Sequence, residues 1–470
     1  MSCSSSSSSD LFMELENLEN TIARLKMKQY ELKRNINRTH SPFIRMIPSE
    51  IIAAISGFAN TDVTITGRLP SPILLSSVCS DWRRAVVGAP HLWSSIKIGL
   101  PSIYSYTMPV LPLATFIDEW LARSGQLLLN ISLCCDHGIH WYSEPLNLEE
   151  YRPIFEILNK YSSRWHSLNI SIPSILLPFL QPDCLPLLEQ LHFASDPSPK
   201  HVITFPPTPR LNTVEIQPFR DSEFRISSNI GIQWNTITHV SLKSVTSPHC
   251  FALLRLNPQL VHCTFHKIND DMEDYLLESP IVSSLTYLSL HHRRDASLVL
   301  DNIKLPCLKT LVLLNIIVDP VIAFLERSSC SLDTLSLLNW HLRKTVKLVP
   351  LLQFLSPSLT RLAISRLPSP IRGTKNYLTL LTRIYKSQSE MVGNDFLPHL
   401  EVFEYREESP STMESSMLSN LPSWNYPKPI TSISLRSAYI STASIINKEI
   451  PHDNSVTLQH LEKENILTYT

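Results

Sequence analysis

The chain has 470 residues, of which 43% are apolar and 18% charged, so it can bury a large core in several domains or in one repeat array. Its 41 Lys and Arg nearly balance 42 Asp and Glu, which leaves a net charge of −1 and excludes a strong global field for nucleic acid or acidic membranes. The most apolar stretch, residues 310–325, is shorter than a spanning helix and contains Asn315, Asp319 and Pro320. Nine scattered cysteines and a serine run in place of a signal peptide favour an intracellular protein, in the cytoplasm, the nucleus or both.

The N-terminal region is expected to be a disordered serine-rich segment over residues 1–9 and a helix over residues 10–39. Its apolar positions are spaced alternately by four and three residues over nearly four heptads, with one polar residue among them. The seam consists of Leu11, Leu15, Leu18, Ile22, Leu25, Gln29, Leu32 and Ile36. This spacing is typical of a coiled coil. Two interpretations remain open: a homodimer through residues 11–36, or an amphipathic helix that lies on the next domain.

Residues 42–98 contain signals for two further helices. Pro48 suits the first turn of one helix, and Glu50 suits the positive end of its dipole. A second helix is predicted from Ser71 to Gly88. Such a small unit has more apolar side chains than it can bury alone. We therefore expect a partner surface here, or docking onto the rest of the chain.

The order of motifs in this region resembles the F-box-like domain that is abundant in mushroom-forming fungi. The resemblance rests on Ile47-Pro48-x-Glu50-Ile51-Ile52, on Leu74-x3-Val78-Cys79-x2-Trp82-Arg83-x-Ala85, and on Pro90-x-Leu92-Trp93. Ile47 stands where Leu is commoner, and a polar loop separates the two helices. Two later segments, which begin at Glu119 and Phe324, also look like phrases of that family.

The resemblance implies docking onto a Skp-family adaptor and, through it, onto a cullin. The adaptor-facing positions of the family correspond here to Ile47, Pro48, Ile51, Ile52, Ile55, Val78, Cys79 and Trp82. Core packing within the domain is the alternative for several of them, Ile55 and Trp82 in particular.

Residues 99–470 contain a repeated Leu-x-x-Leu-x-Leu pattern. Eight copies begin 23 to 27 residues apart, at Leu188, Leu211, Ile237, Leu260, Leu285, Leu308, Leu332 and Leu359. Weaker copies begin at Leu128, Trp165, Leu400 and Ile430. This period predicts strand-plus-helix repeats, and the return segments near residues 250, 321 and 345 are expected to be helices. The expected fold class is α/β: a helical coiled coil and F-box, then an irregular leucine-rich-repeat solenoid with a polar insertion near residues 372–394.

Side chains between the repeat leucines should point away from the core and could bind a target protein. The candidates are His239, Lys243, His262, His266, Tyr287, His291 and Arg361, with solvated strand positions as the alternative for each.

Signatures of catalysis are missing from the sequence, which has no glycine-rich phosphate loop, G-x-S-x-G turn or H-E-x-x-H helix. The segment Cys134–His140 lacks a second ligand pair for zinc. We expect no enzyme activity, no metal and no cofactor. Two functions remain: the substrate-recognition subunit of a Skp–cullin–F-box ubiquitin ligase, or an interaction scaffold in which the F-box-like helices cap the solenoid.

Overall fold

A computed structural model describes most of the chain. The described residues are 5–40, 47–59, 70–100, 110–135, 148–195, 203–217, 230–268, 279–292, 297–314, 318–338, 345–366, 397, 399–407, 437–441 and 467–469. They form two compact units, residues 1–166 and residues 167–470. The division falls within the region for which a single repeat domain, 99–470, is expected.

The first unit is mainly helical. Its helices are α1 (Ser5–His40), α2 (Ser49–Ala59), α3 (Ser71–Ser76), α4 (Ser80–Val87), α5 (Val110–Arg123) and α6 (Arg152–Lys160), and its strands are β1 (Ser95–Leu100) and β2 (Leu129–Cys135). Helix α1 starts at Ser5, within the serine run for which disorder is expected. Strands β1 and β2 pair in parallel, with Ile96 beside Ile131 and Ile98 beside Leu133.

The helix predicted from Ser71 to Gly88 is in fact two helices, α3 and α4. The hydroxyls of Ser76 and Ser77 donate to the carbonyls of Ile73 and Leu74, at 2.7 and 2.6 Å. Such local bonds offer the backbone an alternative to helix continuation. Cys79 is then extended, with φ −160° and ψ 176°. The prediction of one helix was therefore wrong, and Val78 lies in the connection rather than on a helical face.

A buried tryptophan links α4 to the segment that follows it. Trp93 lies in a short 3-10 helix, Pro90–Trp93, and is 1% exposed. Its Nε1 donates to the Val86 carbonyl at 2.9 Å, and its ring meets Trp120 edge-on at 4.7 Å between centroids. The joint between the helices and the first strand is thus part of the core of this unit.

Among the described residues from Trp165 onward, twelve strands form a large parallel sheet. In order they are β3 (Trp165–Ser171), β4 (Gln190–Ala194), β6 (Thr213–Gln217), β8 (His239–Lys243), β9 (His262–Ile268), β11 (Tyr287–His292), β13 (Thr310–Leu314), β14 (Thr334–Leu338), β15 (Arg361–Arg366), β16 (Val402–Glu407), β17 (Ser437–Ser441) and β18 (Leu467–Tyr469). Two small parallel pairs accompany it: β5 (Ile203–Thr204) with β7 (Ile230–Gly231), and β10 (Ile281–Val282) with β12 (Ile303–Lys304).

Equivalent positions of the sequence repeat lie side by side in this sheet. Leu288 pairs with Leu311, Leu311 with Leu335, and Leu335 with Leu362. All four are fully buried. One face of the sheet is therefore a continuous apolar row, in which each strand buries its leucines against those of its neighbours.

Helices return the chain between several of these strands: α7 (Ser247–Leu256), α8 (Ser297–Asp301), α9 (Val318–Ser328) and α10 (Thr345–Leu355). The predicted return helices near residues 250, 321 and 345 correspond to α7, α9 and α10. Polar side chains fix the turns beside them. Asn257, which is fully buried, donates its Nδ2 to the Ile237 carbonyl at 2.7 Å, and Arg327 donates to the carbonyls of Leu300 and Ile303.

Some predicted features lie outside the described residues. These are the repeat copy beginning at Ile430, the insertion near residues 372–394, and residues 136–140 of the cysteine–histidine segment. The strand that pairs with β16 is β17, with Phe403 beside Ala438.

Candidate binding surfaces

The adaptor-facing positions implied by the resemblance lie on or beside α2, α3 and α4. Ile52 is buried, so its side chain belongs to the core of the helices. Trp82 is half-buried on α4, and its Nε1 has no hydrogen-bond partner among the described residues. Cys79 and Ile47 are half-buried, and Pro48 is exposed at the start of α2.

Large apolar side chains of α2, of α3 and of the connection after α3 face solvent, and Val87 at the end of α4 is also 42% exposed. Ile51 and Ile55, one turn apart on α2, are 50% and 42% exposed. Leu74 on α3 and Val78 directly after it are 49% and 50% exposed. We call Ile51, Ile55, Leu74 and Val78 the exposed helical set. Leu74 was not among the predicted adaptor contacts, although it begins the Leu74-x3-Val78 motif on which the resemblance partly rests.

The second surface is the face of the sheet that carries the polar residues between the leucines. On this face His239 lies beside His262, and His262 beside Tyr287. Two rows further along the strands, Lys243 lies beside His266, and His266 beside His291. Six of the seven predicted target-binding residues are thus brought together on three adjacent strands. We call this the polar face of β8, β9 and β11.

Three of these residues form a stacked column of rings. The rings of His262 and Tyr287 are 3.7 Å apart between centroids and 8° from parallel. His239 stacks on the other side of His262 at 5.4 Å. Parallel in-register strands repeat side chains at the strand spacing of about 4.8 Å, which allows flat rings to stack.

The row that contains His266 and His291 is part of a hydrogen-bonded network. His266 Nδ1 and His291 Nδ1 are 3.1 Å apart, so one ring donates its proton to the other. His291 Nε2 contacts Ser289 Oγ at 3.0 Å. Between the two rows lies Thr264, which is 4% exposed and whose hydroxyl has no partner among the described residues.

An acidic residue, Glu215, borders this network. The sequence pattern did not single it out as a candidate. Glu215 on β6 contacts His192 on β4, with Oε2 and Nδ1 3.1 Å apart, and accepts from Gln217. Both residues occupy the same row as Thr264, because Glu215 lies beside Ser241 and Ser241 beside Thr264. Their position between repeat leucines was the signal that could have found them.

Burial sets the protonation of the histidines. It lowers the pKa of His262 and of His266 to about 4, and that of His291 to about 3. Two neighbouring charges have opposite effects on the pKa of His266: Glu215 raises it and Lys243 lowers it. Burial alone would raise the pKa of Glu215, but the hydrogen bond and charge of His192, the hydrogen bond of Gln217 and the charge of His266 together outweigh it, and the pKa is lowered. At neutral pH the column and the network therefore carry neutral imidazoles beside one carboxylate.

Arg361 is the predicted target-binding residue that lies apart. It belongs to the same row as Tyr287, but Thr310 and Thr334 stand between them. Three strand spacings, about 14 Å, separate the two positions. Arg361 is therefore not a member of the histidine cluster.

Among the described residues, no group of three or more His, Cys, Asp or Glu side chains is arranged to hold a metal ion. In the same part of the chain, no helix combines the length and the apolar character needed to cross a membrane. Comparison with known proteins adds no family assignment, since no family model matches the chain and no curated protein resembles it significantly.

Proposed function

We propose that the protein is a non-catalytic substrate-recognition subunit of a Skp–cullin–F-box ubiquitin ligase. In this proposal the helices α2 to α4 hold the Skp-family adaptor, and the repeats, as a leucine-rich-repeat solenoid, hold a target protein. Catalysis belongs to the partners. The contribution of this chain is to bring target lysines close to the transferring enzyme and to orient them, which lowers the entropic part of the barrier.

The observation that carries the proposal is the exposed helical set. Four large exposed apolar side chains on α2, on α3 and in the connection after α3 are unusual for a surface that meets only water. Interfaces bury such side chains at their centre and surround them with polar residues. The F-box resemblance adds that Ile51, Ile55 and Val78 correspond to adaptor-facing positions.

The alternative function is a scaffold in which the same helices merely cap the repeats. Trp93 supports this alternative in part, since it packs α4 firmly against the segment that leads to β1. A cap, however, would bury the apolar side chains of its helices. Exposure of Ile51, Ile55, Leu74 and Val78 favours docking of a separate partner.

The polar face of β8, β9 and β11 is the proposed target surface. Tyr and His rings offer flat apolar area together with hydrogen-bonding edges, as hot spots of protein interfaces do. Lys243 and the neutral imidazoles would suit a partner that presents carboxylates or aromatic rings.

Binding of a purified fungal Skp-family adaptor to the full chain tests the proposal. The double substitution Ile51→Lys and Val78→Lys should abolish the complex, because it places two charges in the expected contact. Both residues are about half exposed, so the fold should persist, which the melting temperature would verify.

Leu256→Lys is the matched control. Leu256 is an exposed leucine, 58% accessible, on α7 of the second unit. Adaptor binding should survive this change. Failure of the unsubstituted chain to bind any fungal adaptor would overturn the ligase proposal, and binding that survives the double substitution would overturn the assignment of the contact.

A further inference from the structure

Helix α1 presents an apolar stripe that the described chain leaves uncovered. The seven apolar residues of the heptad seam are each between 50% and 63% exposed. The helix is continuous over 36 residues. Residues 11–36 span about 38 Å at 1.5 Å per residue. A stripe of this length is long enough for a two-stranded coiled coil with a second copy of the chain.

The heptad positions follow from the spacing. Leucine occupies every d position: Leu11, Leu18, Leu25 and Leu32. The a positions are Leu15, Ile22, Gln29 and Ile36. The flanking e positions are Phe12, Glu19, Lys26 and Lys33, and the flanking g positions are Glu14, Thr21, Lys28 and Asn35.

Charge is distributed unevenly along this helix. Residues 10–23 contain four acidic and no basic side chains, whereas residues 24–38 contain six basic and one acidic. Two copies side by side in the same direction would place acid beside acid and base beside base. Two copies in opposite directions would place the acidic half of each beside the basic half of the other.

Individual flanking pairs agree with this asymmetry. In a parallel dimer g positions meet the following e positions, so Glu14 would face Glu19 of the second copy and Lys28 would face Lys33. Both contacts are repulsive, and each occurs twice. In an antiparallel dimer e positions meet e positions. Glu19 would then face Lys26 of the second copy, also twice, and both contacts are attractive.

The core positions are compatible with the antiparallel arrangement. It opposes Ile22 with Leu25, and Leu15 with Leu32, of the second copy. Isoleucine at a with leucine at d also suits a parallel dimer, so the core alone does not choose the direction. Gln29 would oppose Leu18 of the second copy in the antiparallel dimer and Gln29 of the second copy in the parallel dimer.

We infer that α1 forms an antiparallel coiled coil with α1 of a second copy of this chain. The chains that follow α1 in the two copies would then leave the paired helices at opposite ends. The inference does not depend on the proposed ligase function, because it uses only residues of α1.

Charge reversal at position 19 tests the direction as well as the dimer. Sedimentation of the full chain gives the dissociation constant of the dimer. Glu19→Lys turns two attractive contacts into two repulsive ones in the antiparallel arrangement, so the dissociation constant should rise roughly tenfold at low salt. The double variant Glu19→Lys with Lys26→Glu exchanges the two charges, so the contacts are attractive again and the dissociation constant should return to its original value.

In a parallel dimer the sign would be opposite. The new ammonium at position 19 would meet Glu14 of the second copy, and Glu19→Lys would tighten the dimer. Glu16→Lys, at an outward b position, is the matched control with the same change in charge and should leave the dissociation constant unchanged within about twofold. A chain that stays monomeric, or a Glu19→Lys dimer that is tighter or unchanged, overturns the inference.

Discussion

The imidazole of His262 lies flat against the phenol ring of Tyr287, with 3.7 Å between the ring centroids and 8° between the planes. The contact exists because parallel strands β9 and β11 carry the two residues in register. It buries His262 enough to lower its pKa to about 4, an effect to which His239 also contributes. Sequence alone suggests a row of exposed polar side chains here, whereas the structure has a partly buried stack.

Acid should destabilise the protein in a defined range. The pKa values of His262, His266 and His291 are lowered by burial from 6.5 to about 4, 4 and 3. The unfolded chain therefore binds protons first as the pH falls below 6.5. Stability from these groups is complete above about pH 6.5 and declines as the pH falls toward 4 for His262 and His266 and toward 3 for His291, by about 1.4 kcal/mol per group for each unit of pKa difference.

Denaturant unfolding at pH 7.5, 6 and 5 would measure this decline. His291→Asn removes one buried titrating group and should flatten the dependence of the unfolding free energy on pH, whatever it does to the value at pH 7.5. His91→Asn, which removes an exposed histidine of the first unit that lies outside this cluster, is the matched control. An identical slope in His291→Asn and the unsubstituted chain would contradict the burial argument.

Trp93 should be among the most sensitive positions of the first unit. It is 1% exposed, packs on Trp120 and donates to the Val86 carbonyl. Trp93→Ala should cost about 3–5 kcal/mol of unfolding free energy, measured by denaturant titration. Trp93→Phe keeps an aromatic ring and loses the donor, so it should cost less. A loss below about 1 kcal/mol in Trp93→Ala would show that the site collapses around the smaller side chain.

Asn257 should stabilise the fold through the hydrogen bond that its amide group donates rather than through the volume of its side chain. Its Nδ2 donates to the Ile237 carbonyl at 2.7 Å from a fully buried position. Asn257→Ala leaves that carbonyl without its donor, at a cost of about 1–3 kcal/mol. Asn257→Asp should cost more at neutral pH, because it buries a carboxylate against the carbonyl oxygen.

The unfolding free energies of both variants would show whether Asn257→Asp is less stable than Asn257→Ala. Asn235→Asp, at an exposed position, is the control for the same change of side chain. Equal stability of Asn257→Asp and the unsubstituted chain would mean that the hydrogen bond contributes nothing.

Ser329 occupies a conformation that glycine prefers. Its φ is 52°, and its N–H donates to the Leu325 carbonyl at 2.8 Å at the end of α9. The left-handed backbone conformation costs a residue with a side chain about 1 kcal/mol relative to glycine. Ser329→Gly should therefore raise the unfolding free energy by a few tenths to about 1 kcal/mol, because the strain it relieves exceeds the entropy it adds to the unfolded chain.

Ser329→Ala provides the comparison, since it keeps the strain and loses the hydroxyl bond to the Glu326 carbonyl. It should be no more stable than the unsubstituted chain. Thermal melts of both variants would decide, and a melting temperature of Ser329→Gly below that of Ser329→Ala would refute the argument.

Periodicity in the sequence determined the elements and one face of each. Leucines spaced as in Leu285, Leu288 and Leu290 predict a strand that buries alternate side chains, and all three are buried. This prediction succeeds because the apolar pattern of a strand follows from its two-residue period alone. The seam of α1 and the return helices α7, α9 and α10 were predicted from the different spacing of a helix, in which residues three and four apart share a face.

Tertiary structure decided what the polar residues between the leucines do. His192 and Glu215 are 23 residues apart in sequence and meet only because strands β4 and β6 pair in register. The break between α3 and α4 likewise depends on hydroxyl bonds of Ser76 and Ser77 that no apolar pattern records. Burial of an apolar side chain is a local tendency, whereas the partner of a polar one is fixed by which strand lies beside it.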